Sequence, residues 1–148
     1  MIDINEIKEI LPQAYPVLLI DRIVDFKDGK SLTAIKNVTG NEWIFSSDRA
    51  DTGIFPETLL IEAATQAALA LYELSRNKLR RKLKYMLGRV KAEYLNPVKI
   101  GDQIQIQAFG NKMLETGGYS DIEIEDGNRK IANVEIVFSV IREIHEKE

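Results

Sequence analysis

The chain has 148 residues, 45% apolar and 29% charged, with 20 basic and 23 acidic side chains and a net charge of −3. That length suits a single domain spanning 1–148, with a core large enough to need no disulfide or metal, and the charge gives no general reason to expect nucleic acid. Cysteine is absent and the sole histidine is His145, so thiolate metal sites, cysteine nucleophiles and ordinary histidine triads are excluded unless that tail residue serves.

The N-terminus has no basic stretch followed by an apolar run, so it is not expected to be a secretory signal. Apolar residues at Ile4, Ile7, Ile10 and Leu11 have helical spacing, which Pro12 ends. Val17 to Phe26 is apolar, interrupted by Asp21-Arg22, for which a local ion pair is expected. Asp28-Gly29 reads as a turn and Ser31 to Val38 as a strand, so the two runs form a hairpin. Residues 46 to 53 are small and polar, a loop.

Pro56-Glu57-Thr58 opens a helix that runs to Arg76–Lys78, with proline at its start and an acidic residue at its positive end. Leu59, Leu60, Ile61, Ala63, Ala64, Ala67, Ala68, Leu69, Ala70 and Leu71 make it apolar nearly all round, so it is expected to be buried on most sides. The stretch Leu59–Leu74 is interrupted by Glu62, Gln66 and Glu73 and is too polar to span a membrane; a cytoplasmic location is expected. The remainder reads as strands: Tyr85 to Tyr94, Gln103 to Phe109, Tyr119 to Glu125, and a long Ile131 to Ile144 after the Asp126-Gly127 turn. One buried helix among five or six strands packs most economically inside a curled antiparallel sheet, an α+β hotdog arrangement.

Glu62 is the strongest chemical signal, a carboxyl in the most apolar helix, with Gln66 one turn later on the same face. Burial favours the neutral acid, the form that donates a proton in general acid catalysis. The alternative is a buried glutamate satisfied by backbone or arginine, or one facing a subunit interface. Asp48, Arg49 and Asp51 lie in the loop that feeds the helix, where backbone amides can hold an oxyanion; a plain solvated loop is the competing reading. Gly88 interrupts a strand, which marks either a bulge or a close approach by a ligand. The basic run Arg76, Lys78, Arg80, Arg81, Lys82 and Lys84 suits a solvated helix end or docking of an acidic partner or phosphate.

Four segments carry a family resemblance. Leu11-Pro12-Gln13-Ala14-Tyr15-Pro16-Val17-Leu18-Leu19-Ile20-Asp21-Arg22-Ile23 resembles the LPHRYPFLLVDRV opening of FabZ-type 3-hydroxyacyl-(acyl carrier protein) dehydratases. Ala34 to Glu42 is similar to their AIKNVTINE. Phe55-Pro56-Glu57-Thr58-Leu59-Leu60-Ile61-Glu62-Ala63-Ala64-Thr65-Gln66 resembles MPGVLILEAMAQ, and Gly88 to Asp102 resembles GIDNARFKRPVVPGD. The matches are in order and run from about residue 10 to 102.

The resemblance implies a hotdog fold and an acyl-thioester site shared between two subunits. A loop histidine would remove the proton beside the thioester carbonyl, a helix glutamate of the other subunit would protonate the departing hydroxyl, and a strand-glycine amide would bind the thioester oxygen. The glutamate maps onto Glu62 and the glycine onto Gly88, with Gln66, Phe55 and Pro56 in the substrate-binding surroundings. The histidine maps onto Asp48, a second family histidine onto Gln13, and a basic residue near the channel mouth onto Glu93. An aspartate, unperturbed near a pKa of about 3.9, is a weaker base than a histidine near about 6.5.

Three functions follow as expectations: a 3-hydroxyacyl thioester dehydratase of fatty-acid or polyketide-type metabolism using Glu62 and Asp48; a hotdog acyl-thioesterase; or a non-catalytic acyl-binding subunit of a histidine-containing paralogue. The substrate would arrive on acyl carrier protein or CoA, no further cofactor or metal is implied, and a homodimer or trimer of dimers is expected.

Overall fold

The computed structural model describes residues 1–45, 53–77 and 83–142. In chain order these form α1 (Ile4–Ile10), β1 (Arg22–Lys27), β2 (Ser31–Asn37), a one-turn 3-10 helix (Trp43–Phe45), α2 (Glu57–Arg76), β3 (Leu83–Tyr94), β4 (Gln103–Leu114), β5 (Gly117–Glu125) and β6 (Lys130–Arg142). The strands make one antiparallel sheet in the order β1-β2-β4-β5-β6-β3. Helix α2 packs on β4, β2, β5 and β6. This is the α+β hotdog fold.

Residues opposed in an antiparallel ladder share a face, and alternate residues point to opposite faces. Hence Leu32 and Ala34 of β2, Ile104, Ile106 and Ala108 of β4, Ile122 and Ile124 of β5, and Val134, Ile136 and Phe138 of β6 all point at α2 and are buried. Their partner is a helix whose every residue from Ala63 to Glu73 is buried. Small alanines on α2 let the sheet close around it at native packing density. Asp3 caps α1, its Oδ1 accepting the Glu6 amide at 3.1 Å, and α1 contacts α2.

Several boundaries differ from the sequence reading, β3 starting at Leu83 rather than Tyr85 and β5 at Gly117 rather than Tyr119. The run from Val17 to Ile20 is not a strand, and β1 begins only at Arg22. The Val17 and Leu18 amides turn back to the Ala14 carbonyl at 2.8 and 3.2 Å, and the Val17 carbonyl and Leu19 amide are met by a side chain of α2, as described below. Asp21 does not serve an ion pair with Arg22; it accepts the Asn37 amide at 2.6 Å and closes the end of β2. Strand β4 continues past Phe109 to Leu114 through a register shift between Gly110 and Lys112. Pro56 is the N-cap of α2 rather than its first helical residue, at φ −61° and ψ 137°.

In β3 the alternation changes phase. Tyr85 and Leu87 oppose Val140 and Phe138, whereas Val90, Ala92 and Tyr94 oppose Ile136, Val134 and Ala132. Odd-numbered residues face inward before Gly88 and even-numbered ones after it. The extra residue is Gly88, which has no opposite number on β6. A bulge at this point lets both halves of β3 face α2.

Among the described residues no helix is long and apolar enough to cross a membrane.

Candidate functional site

Glu62 lies near the N-terminal end of α2 and is half-buried, whereas Gln66 one turn later is fully buried. The Gln66 amide is committed on every side. Its Oε1 accepts the Leu19 amide at 2.8 Å, while its Nε2 donates to the Val17 carbonyl at 2.7 Å and to Glu62 Oε1 at 3.2 Å. The two contacts with Val17 and Leu19 reproduce what a neighbouring strand would offer, and they fix which end of the amide is oxygen. This is why the apolar run at 17–20 needs no strand partner. The third contact orients the Glu62 carboxyl, leaving its other oxygen free of protein partners among the described hydrogen bonds. Gln66, expected to meet substrate, has both of its amide hydrogens taken by the protein.

Gly88 is exposed on β3, an outer strand of the sheet. A Cβ added there would come no closer than 3.5 Å to any other part of the chain, the nearest atom being the Val137 carbonyl oxygen. That is ordinary contact. Nothing among the described residues excludes a side chain at 88, in contrast to Gly117, where a Cβ would collide with the Phe138 backbone.

The segment that precedes α2 is clamped to the loop before β4. The Phe55 amide donates to the Val98 carbonyl at 2.8 Å and the Ile100 amide to the Gly53 carbonyl at 3.0 Å. Phe55 is 1% exposed, its ring in the core of its own chain. The Lys36 ammonium lies 5.7 Å from the ring centroid and pairs with Glu42 at 2.6 Å. Glu42 also accepts the Thr39 amide at 3.0 Å. Lys36 and Glu42 therefore tie down both ends of the segment between β2 and α2. A shallow cavity of about 190 Å³ beside Phe55 and Leu60 is lined by Tyr94, Leu95 and Pro97, with the Tyr94 hydroxyl donating to the Glu57 carbonyl at 3.1 Å. Burial, and then the Glu57 carboxylate, raise the Tyr94 phenol above its usual range.

Asp48, Arg49 and Asp51 lie outside the described residues, as do Lys78, Arg80, Arg81, Lys82 and His145. Of the basic run, Arg76 is exposed at the end of α2 and Lys84 is exposed on β3, so these two do not share one helix end. Among the described residues no three acidic or histidine side chains converge as metal ligands.

The sequence reading missed a buried polar cluster near the other end of α2. Glu73 is 7% exposed; its Oε1 accepts from the Tyr85 hydroxyl and its Oε2 from Asn77 Nδ2 at 2.7 Å. Tyr72, Tyr85 and Phe138 pack edge to face around it, with centroids 5.2–6.1 Å apart. Burial, and then the Glu73 carboxylate, push the Tyr85 phenol far above its usual range. The available signal was helical spacing: Glu62, Gln66, Glu73 and Asn77 fall on one stripe of α2.

The comparisons with known proteins agree with this architecture. A FabA-like domain model matches residues 11–135. A 3-hydroxyacyl-[acyl-carrier-protein] dehydratase FabZ of Clostridium botulinum (strain Loch Maree) is 33% identical over 139 residues, covering 94% of this chain and 96% of the relative. A dehydratase of the same description from Janthinobacterium is 39% identical over 108 residues, 72% of this chain and 69% of that one. Among solved structures, the dehydratase heterocomplex ApeI:P from Xenorhabdus doucetiae superposes with a TM-score of 0.80 at 16% identity, covering 93% of this chain and 91% of the other. A mutant thioesterase from Pseudomonas aeruginosa gives 0.67 at 19% identity, with 94% of each covered. With the family model spanning most of its length and FabZ relatives aligned nearly end to end, the chain belongs to the FabA-like family of hotdog proteins, in its FabZ-like branch.

Proposed function

We propose that this protein dehydrates a 3-hydroxyacyl thioester, with Glu62 as the acid, Asp48 as the base and the Gly88 amide at the thioester oxygen. The observation that carries the reading is the Gln66–Glu62 pair. A fully buried amide whose other contacts are structural presents one carboxyl at a half-buried position on a largely apolar helix. Such fixed orientation is what a proton donor requires.

The step balances as follows. Asp48 takes the C2 proton, the electron pair forms the C2–C3 double bond, and the C3–O bond breaks as Glu62 delivers its proton to the hydroxyl. Water leaves, and exchange with solvent returns the proton from Asp48 to Glu62. The negative charge that develops on the thioester oxygen is met by the Gly88 amide, the kind of preorganised donor worth about 10²–10³-fold. Gly88 is the bulge residue of β3, and the room left for a Cβ among the described residues is compatible with a ligand or second chain lying close to it. Pro56, exposed at the start of α2, meets the substrate in this reading, with the buried Phe55 ring supporting it from the core.

Acyl carrier protein is the carrier named for the relatives, and it is the carrier proposed here, with Arg76, Lys84 and the intervening basic residues meeting its acidic surface. The assembly proposed is a dimer, built through the free edge of β3, so that each site draws on two chains. A second reading has this chain lend Glu62 to a histidine-containing paralogue; it is favoured by the chain's only histidine being His145.

Intact-mass analysis of purified protein with 3-hydroxyacyl and saturated acyl thioesters tests this. Loss of one water from the hydroxyacyl substrate, abolished in Glu62→Gln and Asp48→Asn, is expected. Release of free acid from both substrates would replace the reading with a thioesterase. Turnover only after adding a histidine-containing paralogue would establish the second reading.

A further inference from the structure

Strand β3 is an outer strand, laddered only to β6, and α2 packs on β4, β2, β5 and β6 rather than on it. Among the described residues two side-chain hydrogen bonds join β3 to α2, and both come from phenols of the strand. The Tyr85 hydroxyl donates to the Glu73 carboxylate in the last turn of α2. The Tyr94 hydroxyl donates to the Glu57 carbonyl in its first turn, at 3.1 Å.

The bulge makes this pair of contacts possible. Successive side chains of a strand alternate between faces. Residues 85 and 94 differ by an odd number of positions and would leave a regular strand on opposite faces. The extra residue at Gly88 reverses the phase, so that Tyr85 opposes Val140 and Tyr94 opposes Ala132, both on the side facing α2. The lengths agree as well. Glu57 to Glu73 spans about 24 Å at ~1.5 Å per helical residue, and Tyr85 to Tyr94 about 26–30 Å at ~3.3 Å per strand residue. The strand is hung from both ends of the helix, antiparallel to it, with Gly88 between the two points.

Gly88 is where the ladder itself gives least support. The extra residue of a bulge is left unpaired, and Gly88 has no opposite number on β6. The place of its amide therefore follows from how the two halves of β3 are held. The half before it is fixed by Tyr85, the nearer phenol in sequence. The Tyr85 ring packs edge to face on Tyr72 and Phe138, and its partner Glu73 is itself held by Asn77 Nδ2 at 2.7 Å. The half after it is fixed by Tyr94, in the wall of the small cavity shared with Phe55 and Leu60.

We infer that Tyr85 and Tyr94 are positioning residues for the Gly88 amide, holding the strand that carries it in place beside α2. The inference rests on the reading of Gly88 as donor to the thioester oxygen, and neither phenol touches the substrate in it.

Tyr85→Phe, Tyr94→Phe and the double variant remove the hydroxyls and keep the rings. Tyr119→Phe is the control, since that hydroxyl lies near Asp121 and Glu135 rather than α2. The full chain, isotope-labelled selectively at its nine glycines, gives one amide resonance per glycine by NMR, and Gly88 is assigned by the peak lost in Gly88→Ala. The Gly88 resonance is expected to move or broaden in both single variants, most in Tyr85→Phe, while that of Gly127 in the β5–β6 turn stays. Tyr119→Phe leaves both in place. With a 3-hydroxyacyl thioester, kcat is expected to fall about tenfold in the double variant, part of the about 10²–10³-fold such a donor supplies. KM is expected to be unchanged, because a contact made mainly in the transition state is lost from kcat. Circular dichroism verifies folding, and Tyr94→Phe, at a half-buried position, carries the test if Tyr85→Phe does not fold. A Gly88 resonance unmoved by removal of either phenol would overturn the inference. So would an unchanged kcat in the double variant, a rise in KM alone, or an equal loss in Tyr119→Phe. A wild type that forms no enoyl product would refute the dehydration reading instead, and the Gly88 resonance would still decide whether the phenols hold the strand.

Discussion

Replacing Gln66 by leucine removes three hydrogen bonds while nearly preserving side-chain volume. Among the described residues, two of them are the only hydrogen bonds of the Leu19 amide and the Val17 carbonyl. Leu19 is 3% exposed, so its N–H is left without solvent, whereas Val17 is 44% exposed and its carbonyl can turn to water. A stranded buried group costs about 1–3 kcal/mol, and an ordinary lost hydrogen bond about 0.5–1.5 kcal/mol. The sum is about 3 kcal/mol, or roughly 6–12 °C in Tm for a domain of this size. Thermal unfolding by circular dichroism reads the total, and hydrogen exchange at the Leu19 amide reads the local part. The variant is expected to lose protection at Leu19 well before the strands of the sheet do. A Tm within about 1 °C of wild type, with Leu19 still protected, would refute the claim that this side chain stands in for a strand.

Other changes separate stability from chemistry. Glu62→Gln is expected to leave Tm within a few degrees, the carboxyl being half-buried, while thioester turnover falls about 10²–10⁴-fold, the usual worth of general acid catalysis. Gly88→Ala, with 3.5 Å to the nearest atom of its own chain, is expected to fold normally and to lose at least tenfold in kcat/KM; unchanged kinetics would remove Gly88 from the site. Lys36→Met leaves Glu42 in a largely buried position without its cation, and about 3–5 kcal/mol of stability is expected to go with it, measured by urea unfolding. The phenol of Tyr85 is raised by burial and by Glu73. Its contribution is therefore complete below the unfolded value near pH 10 and declines as pH rises above it. Tyr85→Phe is expected to flatten that alkaline decline in a pH series of Tm.

The architecture was legible because two periodicities were clean. Ile104 with Ile106, Ile122 with Ile124, and Val134 through Val140 alternate as strands with one buried face, and α2 is apolar nearly all round. The segment at 17–20 was misread for a physical reason. An apolar run looks the same whether its backbone pairs with a strand or with a glutamine side chain 47 residues away. Gly88 was legible as an interruption, but only the register reveals that it shifts the phase of β3. Lys36 was invisible, since a lysine on the inner face of a strand breaks the pattern unless its partner, Glu42, is already known. Glu73 was noted only as a polar break, although its spacing from Glu62 carried the stripe. Glu62 itself stood out because a carboxyl among alanines and leucines is costly without a purpose.

The most direct test of the dehydration reading is made in deuterium oxide with a 3-hydroxyacyl thioester on acyl carrier protein. The account predicts formation of the enoyl product, entry of one deuterium at C2 of recovered substrate through the reverse reaction, and loss of both in Glu62→Gln. Free acid without enoyl product, or dehydration undiminished in Glu62→Gln, would contradict it.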